Sequence, residues 1–146
     1  MSKEVYLKQI QGTTFAVKGN SNHWVTIDNT ADSGGSGAGP SSKELVLFAV
    51  AGCTSTDVVD ILRKKRSPVT DYEVRVKAEE RDEHPRIFTA VHVEYIIYGD
   101  GVKKVDVERA IELSRTKYCS VHAIVSASVA ITHSYRIEPS KKTNAA

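Results

Sequence analysis

The sequence predicts an α+β fold, in which antiparallel sheets surround one long central helix. Residues 42–66 combine a start signal, helix-forming residues and a basic C-terminal end, which indicates a single long helix. Residues 72–79 alternate apolar and charged side chains, and residues 88–98 also show a period of two, as strands with one wet face do. Helices and strands do not alternate regularly along the chain, which favours α+β over α/β.

The central helix carries Cys53. Ser41 and Ser42 are candidate N-caps at its start. Residues 45–51 are apolar on every side, whereas a surface helix shows one apolar stripe, so protein must cover this segment all round. Gly52 weakens a helix by about 1 kcal/mol relative to Ala, which is explained most easily if a backbone or a ligand comes close beside the cysteine.

The other elements follow from shorter patterns. Before the helix, three β-rich runs separated by turn residues predict a meander, at residues 5–10, 13–18 and 24–28. After the two strands that follow the helix, apolar periodicity predicts a helix over residues 104–117 and a second helix with Ser120 as its N-cap and Cys119 at its positive end. A last strand is predicted over residues 129–137, so the order is βββ-α-ββ-αα-β.

The segment 29–40 contains four glycines, and it is predicted to be a mobile loop that leads into the central helix. A phosphate cradle is the alternative for such a segment. No Lys-Ser/Thr pair follows the glycines at P-loop spacing, and the strand–GxGxxG–helix pattern is absent, so a linker is favoured.

Length and composition set further bounds. With 146 residues the chain fits one domain, placed at residues 1–138, and residues 139–146 are expected to be a disordered tail. No apolar signal region and no stretch of about 20 apolar residues is found, so a cytoplasmic protein without a membrane segment is expected. The net charge of +2 is spread over both signs, which argues against nucleic-acid binding.

The two cysteines are expected to be free thiols in that compartment. Cys119-Ser-Val-His122 has the separation of a metal-ligand pair, but a structural zinc site needs four ligands, and only scattered histidines remain to complete one. No metal and no cofactor is therefore expected. For Cys53 two interpretations stay open, because a free cysteine is often a small buried hydrophobe and is otherwise a reactive thiol.

Assembly can also be inferred from the central helix. One sheet can cover one side of residues 45–51, and the two short helices are thin cover for the other side. A second copy of the chain would supply the missing surface, so a homodimer is expected.

Residues 44–53, Glu-Leu-Val-Leu-Phe-Ala-Val-Ala-Gly-Cys, are followed 66 positions after the cysteine by the pair Tyr118-Cys119. This pattern resembles the OsmC/Ohr family of osmotically induced and organic-hydroperoxide-resistance proteins, and Asp57-Val-Val-Asp-Ile-Leu62 resembles a particular OsmC-like branch. The resemblance spans about residues 3–138. It implies an intertwined homodimer, with both central helices enclosed by sheets and sites at the subunit interface.

The resemblance also implies a chemistry, namely a thiol peroxidase of the stress response that reduces organic hydroperoxides without a metal. By family position Cys53 is the peroxidatic cysteine and Cys119 is the resolving one. The thiolate becomes a sulfenic acid, the second thiol condenses with it, and an external dithiol reduces the resulting disulfide.

The family pairs a Glu ten positions before the first cysteine with an Arg from the N-terminal region, and that Arg faces the thiol. Here that position is Lys43, the carboxylate is Glu44, and residues 1–62 contain no Arg. Lys43, Glu44 and Lys18 are therefore the candidate supporting residues. Asp57 and Asp60 are also predicted on the Cys53 side of the helix, about 6 and 10 Å along its axis.

Two other functions remain open from the sequence. The first is a non-catalytic module that binds an apolar small molecule at the dimer interface. The second is a purely structural or interaction dimer. The missing Arg favours these two functions, and the presence of both cysteines favours the peroxidase.

Overall fold

The structure is a computed structural model, and it describes residues 1–141. Over these residues the order βββ-α-ββ-αα-β is confirmed. The strands are β1 (Val5–Gln11), β2 (Thr14–Gly19), β3 (Trp24–Ile27), β4 (Asp71–Glu80), β5 (Phe88–Tyr98) and β6 (Ala130–Glu138). The helices are α1 (Ser42–Lys64), α2 (Lys104–Leu113) and α3 (Ser120–Ser126), with a 3-10 turn at Ala31–Ser33 and a π-helical turn at Ser114–Tyr118.

The chain divides into two compact units. The first, Met1–Val46, contains β1 to β3 and the first turn of α1, and the second begins at Leu47 and contains the remaining elements. The expectation of one domain over residues 1–138 stays a prediction.

In the first unit, the glycine-containing segment 29–40 is held by hydrogen bonds to Asp28. This carboxylate accepts hydrogen bonds from the Thr13 and Ser36 hydroxyls at 2.7 and 2.6 Å and from the Ala38 N–H at 3.1 Å. The bonds from Ser36 and Thr13 are the main cause of a pKa well below the usual range for this buried carboxyl. The prediction of a mobile linker is therefore wrong, because one buried carboxylate organises the segment.

Two of the glycines in this segment are required by close backbone approaches. A Cβ atom at Gly35 would lie 2.1 Å from the carbonyl oxygen of Asn29, and one at Gly39 would lie 2.6 Å from that of Thr26. Any side chain at these positions would displace the backbone.

In the second unit, the three-stranded sheet has the order β4-β5-β6. β4 and β5 are antiparallel, as predicted, but β6 runs parallel to β5, with Tyr95 opposite Tyr135. The expectation that the sheets are wholly antiparallel is therefore wrong for this strand. The physical reason is the long connection through α2 and α3, because a crossover of that length can return the chain to the same end of the sheet.

The core of the second unit lies between α1, β5 and α2. The buried residues of α1 recur every four positions, which places them on one face of the helix. The core residues are Val50, Val58 and Leu62 from α1, Val93, Tyr95 and Ile97 from β5, and Val107, Ala110 and Ile111 from α2. One polar residue, Thr54, lies within the buried face of α1 and is only 2% exposed.

Several apolar side chains of α1 are exposed among the described residues. Phe48 is 57% exposed, and Val46 and Val59 are also exposed. By length and composition α1 could cross a membrane, with a mean hydropathy of 1.8 in its most apolar window. One such helix is weak evidence, because core helices of soluble proteins pass the same test.

Residues 140 and 141, at the start of the predicted disordered tail, make specific contacts. The Ser140 N–H donates to the Asp100 carboxylate at 3.2 Å, and the Lys141 ammonium pairs with Asp71 and Glu73. These contacts contradict a disordered tail that begins at residue 139. The remainder of the predicted tail, residues 142–146, lies outside the described residues.

Candidate active site

The two cysteines lie close together in one chain. Cys53 is half-buried on α1, and Cys119 is buried immediately before α3. Their Sγ atoms and a carboxylate oxygen of Asp57 all lie within 4.8 Å of one another. Sequence elements 66 positions apart thus bring two thiols and one carboxylate to the same point.

Helix geometry explains which acidic residue reaches the thiols. Asp57 follows Cys53 by four positions, so the two side chains are neighbours on one face of α1. The Asp60 carboxylate instead pairs with Arg63 and Lys64, each at 2.6 Å. Asp57 and Asp60 were both predicted on the Cys53 side of α1. The Asp60 carboxylate contacts the basic residues at the C-terminal end of the helix instead.

Cys119 is fixed by its own backbone surroundings. Its sulfur accepts a hydrogen bond from the His122 N–H at 3.3 Å, and its N–H donates to the Ser114 carbonyl at 2.9 Å. Cys119, rather than the predicted Ser120, is therefore the N-cap of α3. Burial raises the pKa of the Cys119 thiol to about 11, and contact with Cys53 acts in the same direction. The thiol is consequently protonated at neutral pH.

A continuous chain of hydrogen bonds leads from the Asp57 carboxylate through the core. The successive donor–acceptor distances are 2.9, 3.2, 2.6, 3.2 and 3.2 Å. The groups, in order, are Asp57, Ser114, Thr54, Tyr95, His133 and His122. We call this set the polar chain.

Counting protons gives the direction of the polar chain. Ser114 donates its only hydroxyl proton to the carboxylate, so its oxygen accepts from Thr54. Thr54 then accepts from Tyr95, whose oxygen accepts from the Nδ1–H of His133. The Nε2 of His133 is left as an acceptor for the Nε2–H of His122. Every proton in the chain therefore points toward the carboxylate.

The protonation of the two histidines agrees with this assignment. Burial lowers the pKa of His133 to about 4, with His122 and Arg115 acting in the same direction. Burial also lowers the pKa of His122, and the two rings stack with centroids 5.3 Å apart. Both imidazoles are neutral at pH 7, as one donor and one acceptor nitrogen on each ring require.

The polar chain reaches a surface groove at His133. The groove has a volume of about 300 Å³. It is lined by Glu108, Ile111, Glu112, Arg115, His133, Ser134 and Tyr135. Most of the lining residues carry a polar or charged group, and Ile111 is the aliphatic exception.

Comparison with known proteins identifies the family. Residues 34–134 match the sequence profile described as OsmC-like protein. The chain belongs to the OsmC-like protein family. The protein YhfA of Escherichia coli K12 is 42% identical over 132 residues, which cover 90% of this chain and 95% of YhfA. The resemblance predicted from the residues around Cys53 and Cys119 is therefore confirmed.

Solved structures show the OsmC-like fold as well. A hypothetical protein from Aquifex aeolicus has 30% identity and a TM-score of 0.84, over 97% of this chain and 99% of its own. An organic hydroperoxide resistance protein OsmC from Legionella pneumophila has 12% identity and a TM-score of 0.67, over 92% and 96% of the two chains. The predicted fold class is confirmed.

The three predicted supporting residues of this OsmC-like chain all lie in the first unit. Glu44 accepts a hydrogen bond from the Ser41 N–H at 2.8 Å, and its own N–H donates to the Ser41 hydroxyl at 3.3 Å, so it belongs to a capping box. The Lys18 ammonium donates to Asn22 at 2.8 Å and lies over the Trp24 ring. A role of Lys18, Glu44 or Lys43 at the thiols stays a prediction.

Gly52 was predicted to mark a close approach. Within residues 1–141, no atom other than its chain neighbours and helix backbone lies within 4 Å of where its Cβ would be. The described part of the chain therefore makes no such contact, and the surface next to Cys53 is open.

Four residues of the polar chain were missed from the sequence. A signal existed for Thr54, because a polar residue inside the buried series of α1 needs a hydrogen-bond partner. Ser114, Tyr95 and His133 gave no signal, since their partners come from elements far away in the sequence.

Proposed function

We propose that this chain is a thiol peroxidase that reduces organic hydroperoxides through Cys53 and Cys119. The observation that carries the proposal is the meeting of both sulfurs and the Asp57 carboxylate within 4.8 Å. Family membership and the shared fold with organic hydroperoxide resistance proteins support the substrate class.

The first step consumes the hydroperoxide. The Cys53 thiolate attacks one peroxide oxygen, the O–O bond breaks, and the alkoxide leaves and takes up a proton as an alcohol. Cys53 becomes a sulfenic acid. Its half-buried position allows access that the buried Cys119 lacks, which supports Cys53 as the first thiol to react.

The second step forms the disulfide. The Cys119 sulfur attacks the sulfenic sulfur, and the departing hydroxide must receive a proton to leave as water. Because the Cys119 thiol is protonated at neutral pH, it needs a proton acceptor as the S–S bond forms. Asp57 accepts this proton and passes it to the hydroxide, and Ser114 holds the carboxylate in place. An external dithiol then reduces the disulfide and restores both thiols.

The attacking thiolate also needs a neighbouring cation or donor, as reactive cysteines generally do. We assign this role to Lys43, to Lys18, or to a residue other than the Glu and the N-terminal Arg that the family pairs beside the thiol. We also propose a cytoplasmic location, because cytoplasmic dithiol reductants would keep the resting thiols reduced.

We further propose that the protein is a homodimer. Phe48, Val46 and Val59 are exposed on α1, and every residue of β1 is exposed as well. Asp57 and Asp60 lie within α1, and charged side chains at the centre of a membrane span cost about 2.5–3.5 kcal/mol each. A second copy of the chain is therefore a better cover for these apolar side chains than lipid.

The peroxidase proposal is tested with an alkyl hydroperoxide and mass spectrometry under non-reducing conditions. The wild type is expected to lose two hydrogens, and Cys119→Ser is expected to accumulate sulfinic or sulfonic Cys53. Cys53→Ser serves as the control and should leave Cys119 unmodified. Stopped-flow turnover with a dithiol measures the complete cycle.

The opposite result selects the alternative function. If Cys53 stays unmodified at excess hydroperoxide while circular dichroism shows an intact fold, the peroxidase proposal is wrong. The non-catalytic module that binds an apolar molecule at the dimer interface then takes its place.

A further inference from the structure

We infer that Cys53, Asp57 and Cys119 form a binding site for a thiophilic divalent metal ion, with Zn²⁺ as the best match. The inference does not depend on the peroxidase activity. It rests on the donor atoms and on the hydrogen bonds that orient them.

The positions of the three donor atoms fit a tetrahedral ion. Zn–S bonds are about 2.3 Å and Zn–O bonds about 2.0–2.2 Å, so ligand atoms around one ion are separated by about 3.5–3.8 Å. All three donor atoms already lie within 4.8 Å of one another. Movements of about 1 Å, within the range of small side-chain rotations, would complete the coordination.

The backbone supplies these ligands in a favourable arrangement. Cys53 and Asp57 are four positions apart on α1, so they face the same way from one rigid element. Cys119 comes from the N-cap position of a neighbouring helix. A helical pair at this spacing, completed by a ligand from a second element, holds a metal with little loss of conformational entropy.

Two of the three ligands are oriented by hydrogen bonds of the kind that surround metal centres. The His122 N–H donates to the Cys119 sulfur at 3.3 Å, which stabilises a thiolate. The Ser114 hydroxyl donates to one oxygen of Asp57 at 2.9 Å, which leaves the other oxygen for an ion. Outer contacts of this type typically change metal affinity by about 10- to 100-fold.

The donor set also explains which metals are suitable. Two thiolates and one carboxylate match Zn²⁺ better than Mg²⁺ or Ca²⁺, which prefer oxygen ligands. Three protein ligands leave one position for water or a small molecule. The pair Cys119 and His122, which the sequence suggested, is not the ligand set, since the His122 imidazole bonds to His133.

Metal binding and thiol chemistry would use the same sulfurs. An ion that occupies both thiolates protects them from oxidants, so the reduced, metal-loaded protein is a resting form that a chelator would activate. This consequence can be measured separately from the binding itself.

The test uses Co²⁺ as a spectroscopic probe of the full-length, reduced protein under anaerobic conditions, followed by competition with Zn²⁺. The expected result is one Co²⁺ per chain, with a thiolate-to-cobalt charge-transfer band that Zn²⁺ abolishes. Cys119→Ser should lose most of the band. Asp57→Asn removes a charged ligand and should weaken binding by more than the about 10- to 100-fold that loss of an outer contact costs.

Asp60→Asn is the matched control, because it removes a carboxylate from the same helix that pairs with Arg63 and Lys64 instead. It should bind Co²⁺ as the wild type does. The inference is wrong if the wild type shows no charge-transfer band at millimolar Co²⁺, or if Asp57→Asn and Asp60→Asn bind equally well. Neither result requires peroxide, so failure here is distinct from failure of the peroxidase proposal.

Discussion

The Ser114 hydroxyl donates a hydrogen bond of 2.9 Å to the Asp57 carboxylate, which ties the π-helical turn after α2 to the central helix beside both cysteines. The Ser114 carbonyl also accepts the Cys119 N–H. One residue thus fixes the carboxylate through its side chain and the second cysteine through its backbone. Only the first contact is lost when the side chain is truncated.

Ser114→Ala should therefore slow the resolving step without preventing the first oxidation. Loss of a hydrogen bond to a charged group costs about 1.5–3 kcal/mol, which corresponds to about a 10- to 100-fold slower disulfide formation. Rapid quenching and mass spectrometry after one equivalent of alkyl hydroperoxide measure the decay of the sulfenic acid.

Ser126→Ala is the control, since Ser126 is exposed at the end of α3. It should form the disulfide at the wild-type rate. Equal rates in Ser114→Ala and wild type would contradict a role of the oriented carboxylate. A complete lack of Cys53 oxidation in the wild type would instead contradict the proposed peroxidase activity.

Tyr95→Phe should reduce stability by about 1–3 kcal/mol, because it removes the buried hydroxyl that bonds to Thr54 and His133. The substitution keeps the ring and its packing, so the loss reports on the polar chain alone. Urea unfolding at a fixed protein concentration measures the change. Tyr6→Phe is the control, since Tyr6 is exposed. A difference below about 0.5 kcal/mol between the two variants would contradict the hydrogen-bond assignment.

Local patterns were sufficient for the order of elements, because strand alternation and helix periodicity are properties of neighbouring residues. The N-cap at Ser41 and the strand at residues 88–98 could be predicted in this way. The two cysteines could be paired only through the family resemblance, since nothing local links α1 to the start of α3.

The parts that the sequence could not supply depend on long-range contacts. The direction of β6 is set by how the crossover returns the chain to the sheet, and no local pattern encodes it. Segment 29–40 was predicted to be mobile because of its glycines, yet it is held by backbone hydrogen bonds and by bonds to the buried carboxylate of Asp28. The polar chain could not be predicted for the same reason, because its members come from α1, β5, the π-helical turn at Ser114–Tyr118, α3 and β6.

His133 should make stability depend on pH between about 4 and 6.5. In the folded state the pKa of this imidazole is about 4, whereas its ordinary value is 6.5. Between these values the unfolded state binds more protons, so stability is full above pH 6.5 and falls as the pH is lowered toward 4. One such group contributes a slope of at most about 1.4 kcal/mol per pH unit.

His133→Gln should flatten this part of the profile, as measured by urea unfolding from pH 7.5 to 4 at fixed protein concentration. The carboxylates titrate in both proteins, so the difference between the two profiles reports on His133 together with its contact to His122. His23→Gln, at an exposed loop position, should follow the wild type. If the free energy of unfolding of His133→Gln and of the wild type falls in parallel as the pH is lowered, the His133 imidazole does not stay neutral as the polar chain requires.

The exposed face of α1 should be the centre of a dimer interface. Phe48 is the largest apolar side chain exposed on this helix, at 57%, and Val46 and Val59 are exposed on the same element. Full burial of a Phe side chain is worth about 1.5–3 kcal/mol, and a carboxylate buried in its place adds a desolvation cost. Phe48→Asp should therefore weaken dimerisation at least about 100-fold, which corresponds to about 2.7 kcal/mol.

Light scattering over a concentration series measures this change as a shift from dimer to monomer mass. Val105→Asp is the matched control, because Val105 is an exposed apolar residue at the start of α2, where an acidic side chain is well tolerated. It should remain a dimer. A wild-type protein that is a folded monomer at micromolar concentration would contradict the proposed assembly. So would a Phe48→Asp variant with the mass of the wild-type dimer, because an unpaired carboxylate cannot be buried there without a measurable loss of affinity.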